Sequence, residues 1–183
     1  MVDSLDRSAV LKFSIYGGFA AIFSLLILVA SRGSGTGPEA GYGILVGLLL
    51  LSMIVVAFEM SHQEVVRRNS QVLLVFVGLA IHLAVIRAAT VFVDTNNFHE
   101  SLSLFLIPFA LAPLVHSVLL GKDVGLFSTM AVSILGCFLV PGDRVLSYLV
   151  FSFMAGLTAV FVTQEVRKRG RVLRAGLYVG IMV

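Results

Sequence analysis

Apolar residues come in long runs along this chain, and polar ones gather in the short gaps between them. The runs extend from about Phe13 to Ala30, Gly43 to Phe58, Gln71 to Val93, Leu102 to Leu120, from the turn Gly121-Lys122-Asp123 to about Val140, and from Val145 to Val162. Each approaches the roughly 20 apolar residues that a helix needs to cross a hydrocarbon core about 30 Å thick. Inside that core every backbone N–H and C=O must be satisfied internally, which selects helices. The pattern predicts an all-α fold, a polytopic transmembrane helix bundle with six full spans. A last run, Ala175 to Val183, has nine residues, about 14 Å of helix. It reads as the start of a seventh span, and the chain is expected to be truncated there.

The gaps set the domain plan. Arg32 to Gly41, RGSGTGPEAG, is rich in helix breakers and is expected as a short external loop. Residues 1–31 then form an N-terminal membrane anchor, 32–42 the loop, and 43–183 a partial multi-span bundle. A cleaved signal peptide is the alternative for the first run, but its apolar core exceeds the about 7–15 residues usual for one. Pro108 and Pro113 each remove a backbone donor and kink the fourth run, which a bundle tolerates when neighbours satisfy the freed groups. Small residues four apart, at Gly43 and Gly47, Ser152 and Gly156, Ala155 and Ala159, Gly176 and Gly180, allow close helix contacts.

Composition agrees. The chain is 58% hydrophobic and 13% charged, with mean hydropathy +1.04, against about 45–50% apolar and about 25% charged in soluble domains. Six or more spans leave no room in 183 residues for a soluble catalytic domain.

The charges orient the bundle. Arg167, Lys168, Arg169, Arg171 and Arg174 cluster after the sixth run, and with an inside N-terminus Arg7, Lys12, Arg67, Arg68 and Lys122 fall on the same side. Only Arg32 and Arg144 fall outside, and Arg87 lies within a span. This asymmetry predicts a multi-pass membrane protein with its N-terminus and the basic cluster, taken as a loop, in the cytoplasm. The net charge of +3 serves lipid headgroups, so the bilayer is the expected partner and nucleic acid is not. Cys137 is the lone cysteine, which rules out an internal disulfide.

Candidate chemistry is sparse. No catalytic, metal-binding or phosphate-binding motif is present, so catalytic residues, metal ligands and cofactors are not expected in this chain. Ionisable groups inside spans are costly and mark function, which singles out His82, His116 and Arg87 as ligand-binding candidates. For the histidines the plainer reading is a neutral imidazole bonded between helices. For Arg87 it is a side chain snorkelling outward to pair with Asp94 on the same helix face, against recognition of a ligand in an outward-facing pocket.

One stretch carries a resemblance. FLIPFALAPLVHSVLLGKDVGLFSTMAVSILG, Phe105 to Gly136, with VRKRGRVLRAGLYVG, Val166 to Gly180, resembles the membrane region of bacterial seven-transmembrane HD-domain proteins. Ile107-Pro108 matches that family's Ile-Pro helix entry, Lys122-Asp123 stands for its Asp-Pro-type turn, Arg174-Ala175-Gly176-Leu177 matches its Arg-Ala-Gly-Leu helix start, and Arg67 to Arg87 looks like its second bundle helix. The resemblance implies an anchor, an extracellular domain, seven helices and a cytoplasmic HD phosphohydrolase acting on cyclic di-AMP. The loop at Arg32 to Gly41 is too short for the extracellular domain, and no catalytic histidine or aspartate of the HD domain has a counterpart here. The expected function is a sensor and anchor module of such a phosphodiesterase, with the HD domain as partner in cis and a second copy as candidate partner. A substrate-binding subunit of a small-solute transporter and a structural cell-envelope protein stay open as alternatives.

Overall fold

The computed structural model describes residues 8–32, 37–96 and 106–182, with side chains at 8–31, 41–96 and 106–163. The described residues form helices α1 (Ala9–Arg32), α2 (Gly37–Ser61), the single turn α3 (Gln63–Val66), α4 (Asn69–Thr95), α5 (Leu111–Leu119), α6 (Lys122–Gly136) and α7 (Val145–Met182), with a 3-10 turn at Gly142–Arg144 before α7. Among the described residues four stretches are long and apolar enough to cross a membrane: Ala9–Ser31, Gly41–Ser61, Asn69–Thr95 and Gly142–Thr163. The protein is thus an all-helical, multi-pass membrane protein. The two other expected spans hold shorter helices, α5 of 9 residues and α6 of 15.

Helix α4 is the centre, with 44% of its most apolar stretch buried against 17% in those of α1 and α2. Its buried positions, Val72, Val75, Phe76, Leu79, His82, Leu83, Ile86, Ala89 and Val93, recur every three or four residues and so form one face of a helix. Phe76 joins three helices through edge contacts: its ring centroid lies 5.0 Å from Tyr16 and 5.2 Å from Phe19 of α1, and 5.6 Å from Phe58 of α2. Aromatic pairs in this geometry add about 0.5–1.5 kcal/mol each beyond their buried area. Phe58 also meets Phe127 of α6 at 4.9 Å.

Small residues bring the other helices together. Gly47 of α2 faces Phe23 and Ile27 of α1, and Gly156 of α7 faces Thr129 of α6. Ser133 of α6 donates to Ser152 Oγ of α7 at 3.0 Å. Tyr148 of α7, fully buried, sinks against Gly136 and donates to the Val132 carbonyl at 3.0 Å. Two of the four small-residue pairs, Gly43 with Gly47 and Ser152 with Gly156, therefore serve packing within the bundle. The side chains of Arg167, Lys168, Arg169, Arg171, Arg174, Gly176 and Gly180 lie outside the described residues.

Three boundaries differ from expectation. Helix α2 starts at Gly37, inside the stretch read as loop, because Pro38 then occupies the first turn, where a missing N–H costs nothing. The expected fourth span is broken at Pro108, and its described helix begins only at Leu111. Helix α7 runs without interruption through the basic cluster to Met182, so no loop separates a sixth from a seventh span there. Arginine and lysine are good helix formers, and their clustering marks a side of the membrane rather than a turn.

Candidate functional site

Where a helix starts inside a bundle, its first N–H groups need partners that water would otherwise supply. Helix α5 starts this way, opposite the middle of α4. The Leu111 N–H donates to the Pro108 carbonyl at 3.0 Å and that of Leu114 to Ala110 at 2.9 Å, while Pro113 has none to place. The remaining donor of this turn, the Ala112 N–H, reaches His82 Nδ1 of α4 at 3.1 Å. His82 is the side-chain cap of a helix distant in sequence. Since Nδ1 accepts, the neutral imidazole carries its hydrogen on Nε2.

One turn further along α5, His116 completes the joint. Its ring packs on α4 at Gly78, where any β-carbon would collide with the imidazole. On its other side Nδ1 lies 2.5 Å from Ser128 Oγ of α6. The Ser128 hydroxyl is also 2.9 Å from the Val124 carbonyl, and it has one proton to give. Turned to Val124, it leaves His116 Nδ1 as donor; turned to His116, it moves the ring hydrogen to Nε2. The rotor of Ser128 and the tautomer of His116 are coupled. Both histidines are fully buried; His82 Nε2 has no hydrogen-bonding partner among the described residues, and the His116 ring faces the backbone of Leu74 on α4.

Arg87 stands apart from this pair, five residues up α4. Its Nη2 donates to the Val29 carbonyl at 2.9 Å and its Nη1 to Thr90 Oγ1 at 3.2 Å, while the Thr90 hydroxyl donates back to the Arg87 carbonyl at 2.8 Å. Val29 is among the last four residues of α1, whose carbonyls have no partner within the helix. The guanidinium thus caps a helix C-terminus, where a cation also meets the favourable end of the dipole. The direct bonds of the guanidinium go to Val29 and Thr90, and Asp94 acts on it as a nearby charge.

At the other end of α1, Glu59 Oε1 accepts from the Tyr16 hydroxyl at 2.8 Å and lies 3.8 Å from Lys12 Nζ. His62 stacks on Phe58, with ring centroids 5.3 Å apart, and His99 falls outside the described residues. Among the described residues no three His, Cys, Asp or Glu side chains gather as metal ligands. The three sequence candidates therefore divide: His82 and His116 share one joint between α4, α5 and α6, and Arg87 ties α4 to α1. Sequence reasoning missed Ser128, Gly78, Thr90 and the carbonyl of Val29. Gly78 and His82 at four-residue spacing beside a Pro-interrupted run is the one signal that pointed to such a joint.

Residues 38–183 match the profile of the family described as 7TM receptor with intracellular HD hydrolase. A curated relative, the cyclic-di-AMP phosphodiesterase PgpH of Listeria monocytogenes serotype 1/2a (strain 10403S), is 20% identical over 143 residues, which are 78% of this chain and 19% of that protein. The chain thus spans about a fifth of that relative's length. No solved structure matches.

Proposed function

We infer the function of this chain from its family: it belongs to the 7TM receptors with an intracellular HD hydrolase. In this reading it is the integral membrane sensor and anchor module of a cyclic-dinucleotide phosphodiesterase, and a cytoplasmic HD domain in cis performs the hydrolysis. The family match over residues 38–183 carries the reading. The curated relative, a phosphodiesterase of cyclic di-AMP, supports that dinucleotide as substrate of the whole protein. Six spans, the last continuing as α7 through the basic cluster, in the bacterial inner membrane with the N-terminus in the cytoplasm, complete the proposal, and the Lys/Arg asymmetry supports this orientation. A second copy of the chain as partner, and His82, His116 and Arg87 as ligand-contacting residues, belong to the same proposal.

The joint is where sensing would act. A half-helix held by one imidazole has two states, docked and released, and a ligand shifts such an equilibrium by its differential affinity. The test joins the bundle to an HD hydrolase of the family and measures cyclic di-AMP turnover. His116→Phe is expected to change turnover by about 5-fold or more, the lower end of usual allosteric couplings. The bundle alone with Mn²⁺ is expected to show no turnover. Equal turnover from the native bundle, the variant and an unrelated membrane anchor would sink the sensor role.

A further inference from the structure

A polar cavity and an apolar groove both draw lining residues from α1 and α4. The cavity, about 720 Å³, is lined by Lys12, Glu64, Val66, Arg67, Arg68 and Asn69. Among the described residues Lys12, Arg67 and Arg68 face Glu64 in the lining, and Glu59 lies 3.8 Å from Lys12 Nζ, so three cations stand against two carboxylates. The groove, about 290 Å³, is almost wholly apolar and runs between Leu11, Ile15 and Gly18 of α1 and Leu73, Phe76 and Val77 of α4. Its one hydroxyl, on Ser14, is turned back to the Val10 carbonyl at 3.0 Å.

The two share a face. On α4, Asn69 of the cavity and Leu73, Phe76 and Val77 of the groove follow at four, seven and eight residues, one stripe of a helix. On α1, Lys12 precedes groove-lining Ile15 and Phe19 by three and seven. Gly18 widens the groove, since a β-carbon there would meet nothing within 4 Å. A ligand that fits has a compact anionic head and an apolar tail, joined at the level where the helices leave the hydrocarbon.

We propose that this is a binding site for one anionic phospholipid, its phosphate among Lys12, Arg67 and Arg68 and an acyl chain along the α1–α4 groove. Charge complementarity selects the head, and an apolar groove following the cavity along α4 by helical register selects a lipid over a free anion. Basic pockets between membrane helices hold anionic headgroups on the same principle, each Lys or Arg near the surface contributing about 5-fold in affinity.

The probe is phosphatidylglycerol against phosphatidylcholine, offered to the full chain in nanodiscs and read as lipid retained per protein by native mass spectrometry after transfer to detergent. Retention of about one phosphatidylglycerol in preference to phosphatidylcholine is expected. Arg67→Gln with Arg68→Gln should cut that preference by about 10-fold or more, and Arg67→Lys with Arg68→Lys should keep most of it. Both arginines are exposed, and helicity by circular dichroism confirms that the variants fold. Gly18→Leu, which fills the groove and leaves every charge, should lower retention by itself. Equal retention of the two lipids overturns the proposal. So does displacement by millimolar glycerol phosphate with Gly18→Leu without effect, which would make the cavity a site for a free anion.

Discussion

The imidazole of His82 accepts the backbone N–H of Ala112 at 3.1 Å, so a helix that begins inside the bundle has its cap supplied by a neighbour. A proline six residues into the fourth apolar run costs the bundle a continuous helix, and His82 takes up the donor that the break exposes. Removing that acceptor leaves a buried N–H unsatisfied, which costs about 1–3 kcal/mol. His82→Leu is expected to lose that much in a denaturant titration in micelles. His82→Gln keeps an oxygen acceptor and should recover part of it; equal losses would show that the acceptor is immaterial.

Gly78 and His116 should behave as one unit. A methyl at position 78 runs into the His116 ring, and overpacking of this kind costs about 1–3 kcal/mol. Gly78→Ala is expected to lower the thermal midpoint in detergent, and His116→Ala in the same chain should restore part of it. Strict additivity of the two changes would contradict the contact, because residues that touch do not add.

Arg87 and Asp94 are expected to respond unequally. Arg87→Leu strips the C-terminus of α1 of its cap and should cost about 1 kcal/mol. Asp94→Asn should stay within about 0.5 kcal/mol, as surface changes do. Matching losses in thermal melts would favour an Arg87–Asp94 pair over the bond to Val29.

Orientation is tested in intact cells with Cys137→Ala as background and single cysteines at Gln63 and Gly142. With the N-terminus inside, an impermeant maleimide should label position 142 and leave position 63 unmodified until the membrane is opened. The reverse pattern would invert the bundle.

Hydropathy located α1, α2 and α4 to within a few residues, because a span is set by composition over some twenty positions. The helices overshoot the apolar runs at both ends: α4 continues to Thr95, where Asn96 Nδ2 and the Thr95 hydroxyl bond back to Phe92 and Val91. The break at Pro108 was visible as a proline, but a kink and a full interruption look alike in sequence. The outcome rests on His82, 26 positions away, being able to receive a donor. Likewise Arg87 and Asp94 stand seven apart on one face, and that spacing made the pair attractive. The acceptor that won, the Val29 carbonyl, belongs to the backbone and has no letter in the sequence.

Helix α7, unbroken over 38 residues, is about 57 Å long, nearly twice the thickness of a hydrocarbon core. It packs along the whole of α6, from Tyr148 seated at Gly136 through Ser152 on Ser133 and Gly156 against Thr129 to Val160 beside Gly125. A rod seated along its first half transmits tilt to its second. Small changes of tilt about that seat are magnified at the far end in proportion to distance, and no loop intervenes to absorb them. A change of tilt set against α6 is therefore carried by the same unbroken helix to where it leaves the lipid.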